Sequence, residues 1–300
     1  MRKKRINNIV PVLITCDIDP APEVNSKDKK SALELTSILF DKYGIKGTFL
    51  FVADTANLYA SQIRQLQERG HEIGCHGLRH DETEEYDKLP EDVQRGYLIR
   101  ATKTLEDLTG NSIVSFRGPR AKTSHITQRI LEQLHYLADS SVCSQRIDLI
   151  SSNLINPGWI FAPRLPYHPN ESSAFRKGNR NLRVIPVSAI ILPFVSGVLY
   201  LFGEKFFKIF FDILYFESQK TGKPIVYLMH PMEFAKQTKD FNYKSSLRSI
   251  RTRGFYFRRR LKLRIDENAR LRYTIHLFEH IKKHINIEFM TINQYVDVIS

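Results

Sequence analysis

Two aspartates separated by one residue, Asp17 and Asp19, follow an apolar run from Val10 to Cys16. Strand alternation points side chains two apart to the same side, so both carboxylates can share a metal or a proton. A solvated turn ahead of Pro20 is the competing reading. His76 and His80 stand at i and i+4 in the segment His71-Glu72-Ile73-Gly74-Cys75-His76-Gly77-Leu78-Arg79-His80. That spacing brings two imidazoles onto one metal where the loop enters a helical turn. With 10 histidines in 300 residues a pair of this kind also arises by chance. One carboxylate and two imidazoles form a facial set with open positions for water or substrate, the arrangement a hydrolytic metal requires. Asp19 supplies the carboxylate.

Arg117 in Phe116-Arg117-Gly118-Pro119, Asp139 in Asp139-Ser140-Ser141 and His230 in Leu228-Met229-His230-Pro231 each close a short apolar stretch. Singly, Arg117 reads as a surface cation and His230 as a core histidine. Together with Asp17, Asp19 and His76 they each sit at the C-terminal end of a different strand or share one, and unrelated surface residues have no reason to do so.

The elements that must position them alternate along the chain. Val10 to Cys16 reads as a strand. A helix from Ser31 to Tyr43 follows, with apolar Ala32, Leu35, Leu39 and Tyr43 on one face and Gly44 closing it. Gly47 to Val52, His71 to Cys75, Ser112 to Arg117 and Tyr136 to Asp139 are read as further strands. Ala56 to Arg69, the stretch marked by Val93 to Leu108, and Ser124 to Leu134 read as the helices between them. Ser151 to Arg183 reads as an elaborated loop, and Val184 to Ile190, Ile225 to His230 and Ile287 to Thr291 as the last strands. Strands separated by helices imply a parallel sheet, and this many units favour a closed or nearly closed β/α barrel over a doubly wound open sheet. Either architecture collects chemistry at the C-terminal ends of the strands.

The ordered series Thr15-Cys16-Asp17-Ile18-Asp19, His76-x-x-x-His80, Arg117-Gly118-Pro119, Asp139-Ser140-Ser141 and Leu228-Met229-His230 resembles the motifs of the polysaccharide deacetylase (NodB-homology) family, carbohydrate esterase family 4. The resemblance spans about Val10 to Glu233, and Gly70 to His80 and Pro224 to Pro231 are its most specific parts. It implies a distorted (β/α)7-8 barrel, a divalent metal and hydrolysis of an N-acetyl group from an amino sugar. It also implies that Asp19, His76 and His80 bind the metal, Asp17 is the general base and His230 the general acid, Arg117 holds Asp17, and Asp139 orients His230. Zn2+ is the expected ion, with Co2+, Ni2+ or Mn2+ as alternatives. The family's adjacent aspartate pair is split here by Ile18, as in an Asp-x-Asp branch similar to peptidoglycan deacetylases and to some amide hydrolases outside carbohydrate chemistry. No tryptophan follows the fourth-motif Asp139, and Trp159 is the only one in the chain.

The chemistry is self-consistent beside the resemblance. A metal on one carboxylate and two imidazoles lowers the pKa of its water to about 7, and a neighbouring carboxylate takes the proton as water attacks an amide carbon. The amine leaving group then needs a proton, and histidine, with an ordinary pKa of about 6.5, can supply it. Cys16 and Cys75 adjoin the motifs but read as small core thiols rather than ligands.

Composition sets the bounds. With 42% hydrophobic and 26% charged residues the chain is a folded globular one, taken as a single unit over 1–300 with a motif-bearing core at 9–235 and a basic segment, helix and strand at 236–300. The net charge of +13 favours acidic partners. Part of it is concentrated in Arg248, Arg251, Arg253, Arg258, Arg259, Arg260, Lys262 and Arg264. That segment reads as a solvated surface, or as a grip on the phosphate of a nucleotide- or lipid-linked sugar or on an anionic membrane face; no nucleic-acid motif accompanies it. Three cysteines give no disulfide framework and suit the cytosol. The basic start, Met1 to Arg5, reads as preceding a buried strand, and the uncharged run Val184 to Gly203 as a strand and turn ahead of a helix from Glu204 to Ser218, its Pro186 and Pro193 opposing a membrane span. The expected activity is therefore metal-dependent N-deacetylation of an acetamido sugar in a cell-envelope or surface-polysaccharide precursor. A hydrolase of a small non-carbohydrate amide and a non-catalytic carbohydrate- or membrane-binding barrel are the alternatives.

Overall fold

The computed structural model describes residues 9–146, 157–236 and 265–300. The basic segment at 248–264 and the basic start lie outside the described residues. Strand β1 (Val10–Ile18) is buried along its whole length, as a central parallel strand covered on both faces must be. Helix α1 (Ser26–Tyr43) begins at Asn25, whose side chain accepts from the Asp28 N–H, and ends at Gly44 in the left-handed region. Three further βα steps and a fifth strand follow the same logic: β2 (Gly47–Phe51), α2 (Ala60–Glu68), β3 (Glu72–Cys75), α3 (Glu91–Thr109), β4 (Ser115–Phe116), α4 (His125–Gln133) and β5 (Ala138–Asp139). Helix α4 is opened by a capping box between Ser124 and Thr127.

The remaining sheet strands are β6 (Arg183–Val184), β7 (Ile225–Met229) and β8 (Ile287–Phe289), with helices α5 (Ser196–Thr221), α6 (Glu267–Lys282) and α7 (Ile292–Ile299) packed around them. The strands of this sheet run parallel in the order β7-β1-β2-β3-β4-β5-β6, and β8 adds to β1. Val12 pairs with Ile225 on one side and Phe289 on the other, so β8 occupies the flank of β1 below β2. The result is a curled parallel sheet, a half-barrel with helices outside, of the distorted β/α barrel type.

The register aligns the strand tops. Cys16 pairs with Met229, Asp17 with Leu50, Phe51 with Cys75, Cys75 with Phe116 and Phe116 with Asp139. One residue further on, His76 N–H reaches Phe51 O at 2.8 Å and Arg117 N–H reaches Cys75 O at 3.0 Å. His76, Arg117 and His230 therefore leave the sheet at one rim.

The expected strand Val184–Ile190 is shorter than its apolar pattern suggests. Pro186 cannot donate to a ladder, so the sheet strand stops at Val184 and the chain turns back at Ile191, whose φ is 62°, pairing Ala189–Ile190 with Leu192–Pro193. Ser188 still bonds across to Val226, bridging the space between β6 and β7. The expected helix Glu204–Ser218 extends from Ser196 to Thr221, broken at Gly203 (φ 82°, ψ 169°). The stretch read as a loop carries a short helix at Pro157–Phe161 and a hairpin of Pro169–Asn170 with Ser173–Lys177. Among the described residues no helix is long and apolar enough to cross a membrane.

Candidate metal and acid-base site

Asp19 lies just beyond β1, and its Oδ1 stands 3.3 Å from His76 Nε2 and 3.4 Å from His80 Nε2. The two imidazole rings are 5.1 Å apart. That carboxylate oxygen is buried and accepts no hydrogen bond. His76 Nδ1 lies 2.7 Å from the Arg117 carbonyl oxygen. A carbonyl only accepts, so Nδ1 carries the proton and the Nε2 lone pair faces Asp19. Acceptors facing one another across about 3.3 Å match the edges of a tetrahedron around an ion with ligand distances of about 2.0–2.1 Å, and the backbone bond from the far nitrogen is the usual support of a ligating histidine. The donor set fits a divalent metal.

Burial pushes the Asp19 carboxyl up, but the neighbouring imidazoles of His80, His76 and His230 outweigh it and hold the group well below the usual carboxylate range. Burial lowers His76, yet the charges of Asp17 and Asp19 overcome it and the net shift is upward. At His80 burial wins over Asp19 and the shift is downward.

His80 reaches the site because its loop folds around Glu84. The fully buried Glu84 carboxylate accepts the backbone N–H groups of Leu78, Arg79 and His80 at 2.7, 2.8 and 2.6 Å, and Tyr86 OH donates to it at 2.7 Å. His80 itself has φ of 59°, a conformation that a side chain tolerates only when its surroundings enforce it. At Gly77 (φ 79°) a Cβ would stand 2.8 Å from Glu84 Oε1 and 2.9 Å from Pro119. Glu84 was not singled out in the sequence, where it is one acid among Asp81, Glu82, Glu84 and Glu85.

Asp17 projects beside the three ligand candidates, with Oδ1 2.7 Å from Arg117 NH1 and Oδ2 3.9 Å from His76 Nε2. Arg117 is fully buried and uses its whole fork: Nε donates to Ser140 O, NH2 to Ser140 Oγ at 2.9 Å each, and NH1 also to Thr15 Oγ1 at 3.0 Å. Thr15, which stands in the first motif but is given no role there, donates its hydroxyl to Tyr227 O at 2.8 Å. His230, on the opposite side, has Nε2 3.8 Å from Asp19 Oδ2 and is 27% exposed, so it stands at the mouth.

Asp139 does not orient His230. Its carboxylate is buried and accepts from Thr123 Oγ1 at 2.8 Å, Gln128 Nε2 at 3.0 Å, and both the N–H and the hydroxyl of Ser141. Ser141 Oγ in turn accepts the Gly118 N–H, so Asp139 ties the loop after β5 to the loop after β4. Besides Asp19 at Nε2, the carboxylate beside His230 is Glu233, with Oε1 3.7 Å from His230 Nδ1. Cys16 and Cys75 are buried core thiols; burial pushes Cys75 up to about 12. Trp159 is buried in a separate cluster with Val142, Tyr167 and Ala189, stacked under Arg146.

Residues 10–138 match the family model for polysaccharide deacetylase. A peptidoglycan deacetylase of Helicobacter pylori (strain ATCC 700392 / 26695) is 28% identical over 105 residues, which cover 35% of this chain and 34% of that protein. The aligned part thus spans about a third of the relative's length. Among solved structures, PuuE allantoinase superposes with a TM-score of 0.60 at 17% identity, covering 97% of this chain and 90% of the other. A probable polysaccharide deacetylase from Pseudomonas aeruginosa PAO1 superposes with a TM-score of 0.60 at 16% identity, covering 97% and 91%. At these identities the structural likeness speaks for the fold.

Proposed function

We propose, from the premise that the chain belongs to the polysaccharide deacetylase family through residues 10–138, that it is a metal-dependent hydrolase removing the N-acetyl group of an acetamido sugar. The observation that carries this reading is the buried, unbonded Oδ1 of Asp19 facing two imidazole nitrogens at 3.3 and 3.4 Å, with the carboxylate of Asp17 alongside.

Asp19, His76 and His80 would hold the ion, Zn2+ first, with Co2+, Ni2+ or Mn2+ as alternatives. A divalent ion there supplies acidified water and polarises the amide carbonyl. Asp17 takes the proton of the attacking water on Oδ2, because Oδ1 is engaged by Arg117. Arg117 fixes the carboxylate's direction and keeps its charge compensated in a buried place. His230, at the mouth, gives its Nε2 proton to the sugar nitrogen as the C–N bond breaks and acetate leaves. Glu233, beside His230 Nδ1, is the residue placed to steady that ring.

The peptidoglycan deacetylase relative supports an amino sugar of the cell envelope as substrate. The net charge of +13 supports a phosphate-bearing carrier, a nucleotide- or lipid-linked precursor, and contact with an anionic membrane face. That Cys16, Cys75 and Cys143 are buried thiols rather than disulfides supports the cytosol. The test is an acetate-release screen over nucleotide-linked and lipid-linked acetamido sugars and chitin or peptidoglycan fragments, with chelated and zinc-restored protein compared. Zinc-dependent acetate release from at least one of them is expected; none from any of them would remove the reading.

A further inference from the structure

Far along the chain from the rim, helix α6 presents His276 and His280 to the acidic face of helix α5, with His284 one turn further on. His276 pairs with Glu204, Nδ1 to Oε2 at 2.5 Å. The next step differs, because one oxygen serves two rings: Asp212 Oδ1 lies 2.6 Å from His280 Nε2 and 3.0 Å from His284 Nε2. All three ligand atoms lie within 4.8 Å of one another.

The tautomer of His284 is fixed by its other nitrogen. Nδ1 stands 3.0 Å from the His280 carbonyl oxygen, which only accepts, so Nδ1 carries the proton. The Nε2 lone pair then points at a carboxylate oxygen, and two acceptors at 3.0 Å repel unless a second ring proton or a cation lies between them. His76 has the same construction, with Nδ1 on a backbone carbonyl and Nε2 toward Asp19. The His280 and His284 rings meet at 5.0 Å. Phe211 and Tyr215 pack against His284 at 5.1 and 4.5 Å, forming a partly apolar wall that favours ligation over hydration. The side chains of Asp212, His280 and His284 keep 35%, 21% and 18% of their surface exposed, which leaves open positions and an entry path from solvent.

We propose that Asp212, His280 and His284 form a second divalent-metal site, separate from the rim, that clamps helix α5 to helix α6. Two imidazoles and one carboxylate suit a first-row transition ion such as Zn2+ completed by water. Ligand edges of about 3.3 Å require the two Asp212 contacts to open by roughly 0.3 and 0.7 Å, within reach of side-chain torsions. Binding needs the lone pair of His280 Nε2, so in the bound state that ring carries its proton on Nδ1, and a doubly protonated imidazole competes with the ion. Because the ion binds the folded helix pair and bridges two elements, it stabilises the fold by mass action.

The experiment counts Zn2+ per chain after equilibration with excess ion and gel filtration, in the unaltered protein, in His280→Gln/His284→Gln and in Asp19→Asn/His76→Gln. Two ions are expected in the first and one in each variant, with a zinc-induced rise in Tm that the His280→Gln/His284→Gln chain loses in part. An unchanged count in that variant, or an unaltered chain whose whole zinc content disappears with Asp19→Asn/His76→Gln, overturns the proposal. Asp212→Asn, nearly isosteric, gives the same readout if the double variant does not fold.

Discussion

Arg117 and Asp17 are a hundred residues apart in sequence, yet NH1 and Oδ1 meet at 2.7 Å in a place closed to solvent. The pair links the ends of β1 and β4, and Ser140 and Thr15 hold the rest of the guanidinium. A single ammonium cannot reproduce that fork. Arg117→Lys is therefore expected to keep the fold but lower kcat by about 100-fold through misdirection of Asp17. Arg117→Ala, which strands a buried carboxylate, should cost about 3–5 kcal/mol of stability. Urea unfolding and acetate release measure the two effects; full activity in Arg117→Lys would show that Asp17 needs no such support.

Glu84 is expected to control metal affinity without touching the metal. Its carboxylate takes three backbone N–H groups in the loop that carries His80, and the amide of Glu84→Gln turns a donor toward at least one of them. Zinc affinity at the rim should fall by about 10–100-fold, read by titration in the His280→Gln/His284→Gln background so that one site is counted. Unaltered affinity would mean that the loop holds its left-handed His80 by other means.

His71 predicts an acid-sensitive fold. The ring is packed against Phe40 and Phe49, and its Nδ1 accepts the Gly47 N–H at 3.2 Å. Burial first, then the nearby Lys46 charge, pushes its pKa down to about 4. The folded state thus prefers the neutral ring. Between the ordinary value of about 6.5 and about 4 the unfolded chain binds the extra proton, so this contribution is complete above about 6.5 and is lost as pH falls. Denaturant midpoints measured from pH 7 to pH 4 should fall in the unaltered chain and fall less in His71→Gln. Equal slopes would place the acid sensitivity elsewhere.

Much of the rim is legible because each parallel strand is a short apolar run, and the polar residue that ends it is where the chain leaves the sheet. That is how Asp17, His76, Arg117 and His230 come to share one edge. What the pattern lacks is side-chain direction. Asp139 ends its strand as expected, but Ser141, Thr123 and Gln128 turn its carboxylate inward, and that depends on how two loops meet. Glu84 is hidden for a related reason: its partners are backbone N–H groups, which have no sequence signature. Apolar periodicity also ran through Pro186, where the missing N–H ends the ladder and only the fold shows the turn that follows. The Asp212, His280 and His284 cluster escaped notice because its carboxylate and imidazoles lie on helices far apart in the chain.

The most direct test of the rim's division of labour is zinc content and acetate release measured on the same preparation of Asp17→Asn. Asp19, with His76 and His80, is assigned to hold the ion, and Asp17 to take the proton. The variant should therefore carry as much zinc as the unaltered chain and release no acetate. Loss of the rim zinc in that variant, or acetate release at the unaltered rate, would contradict the assignment.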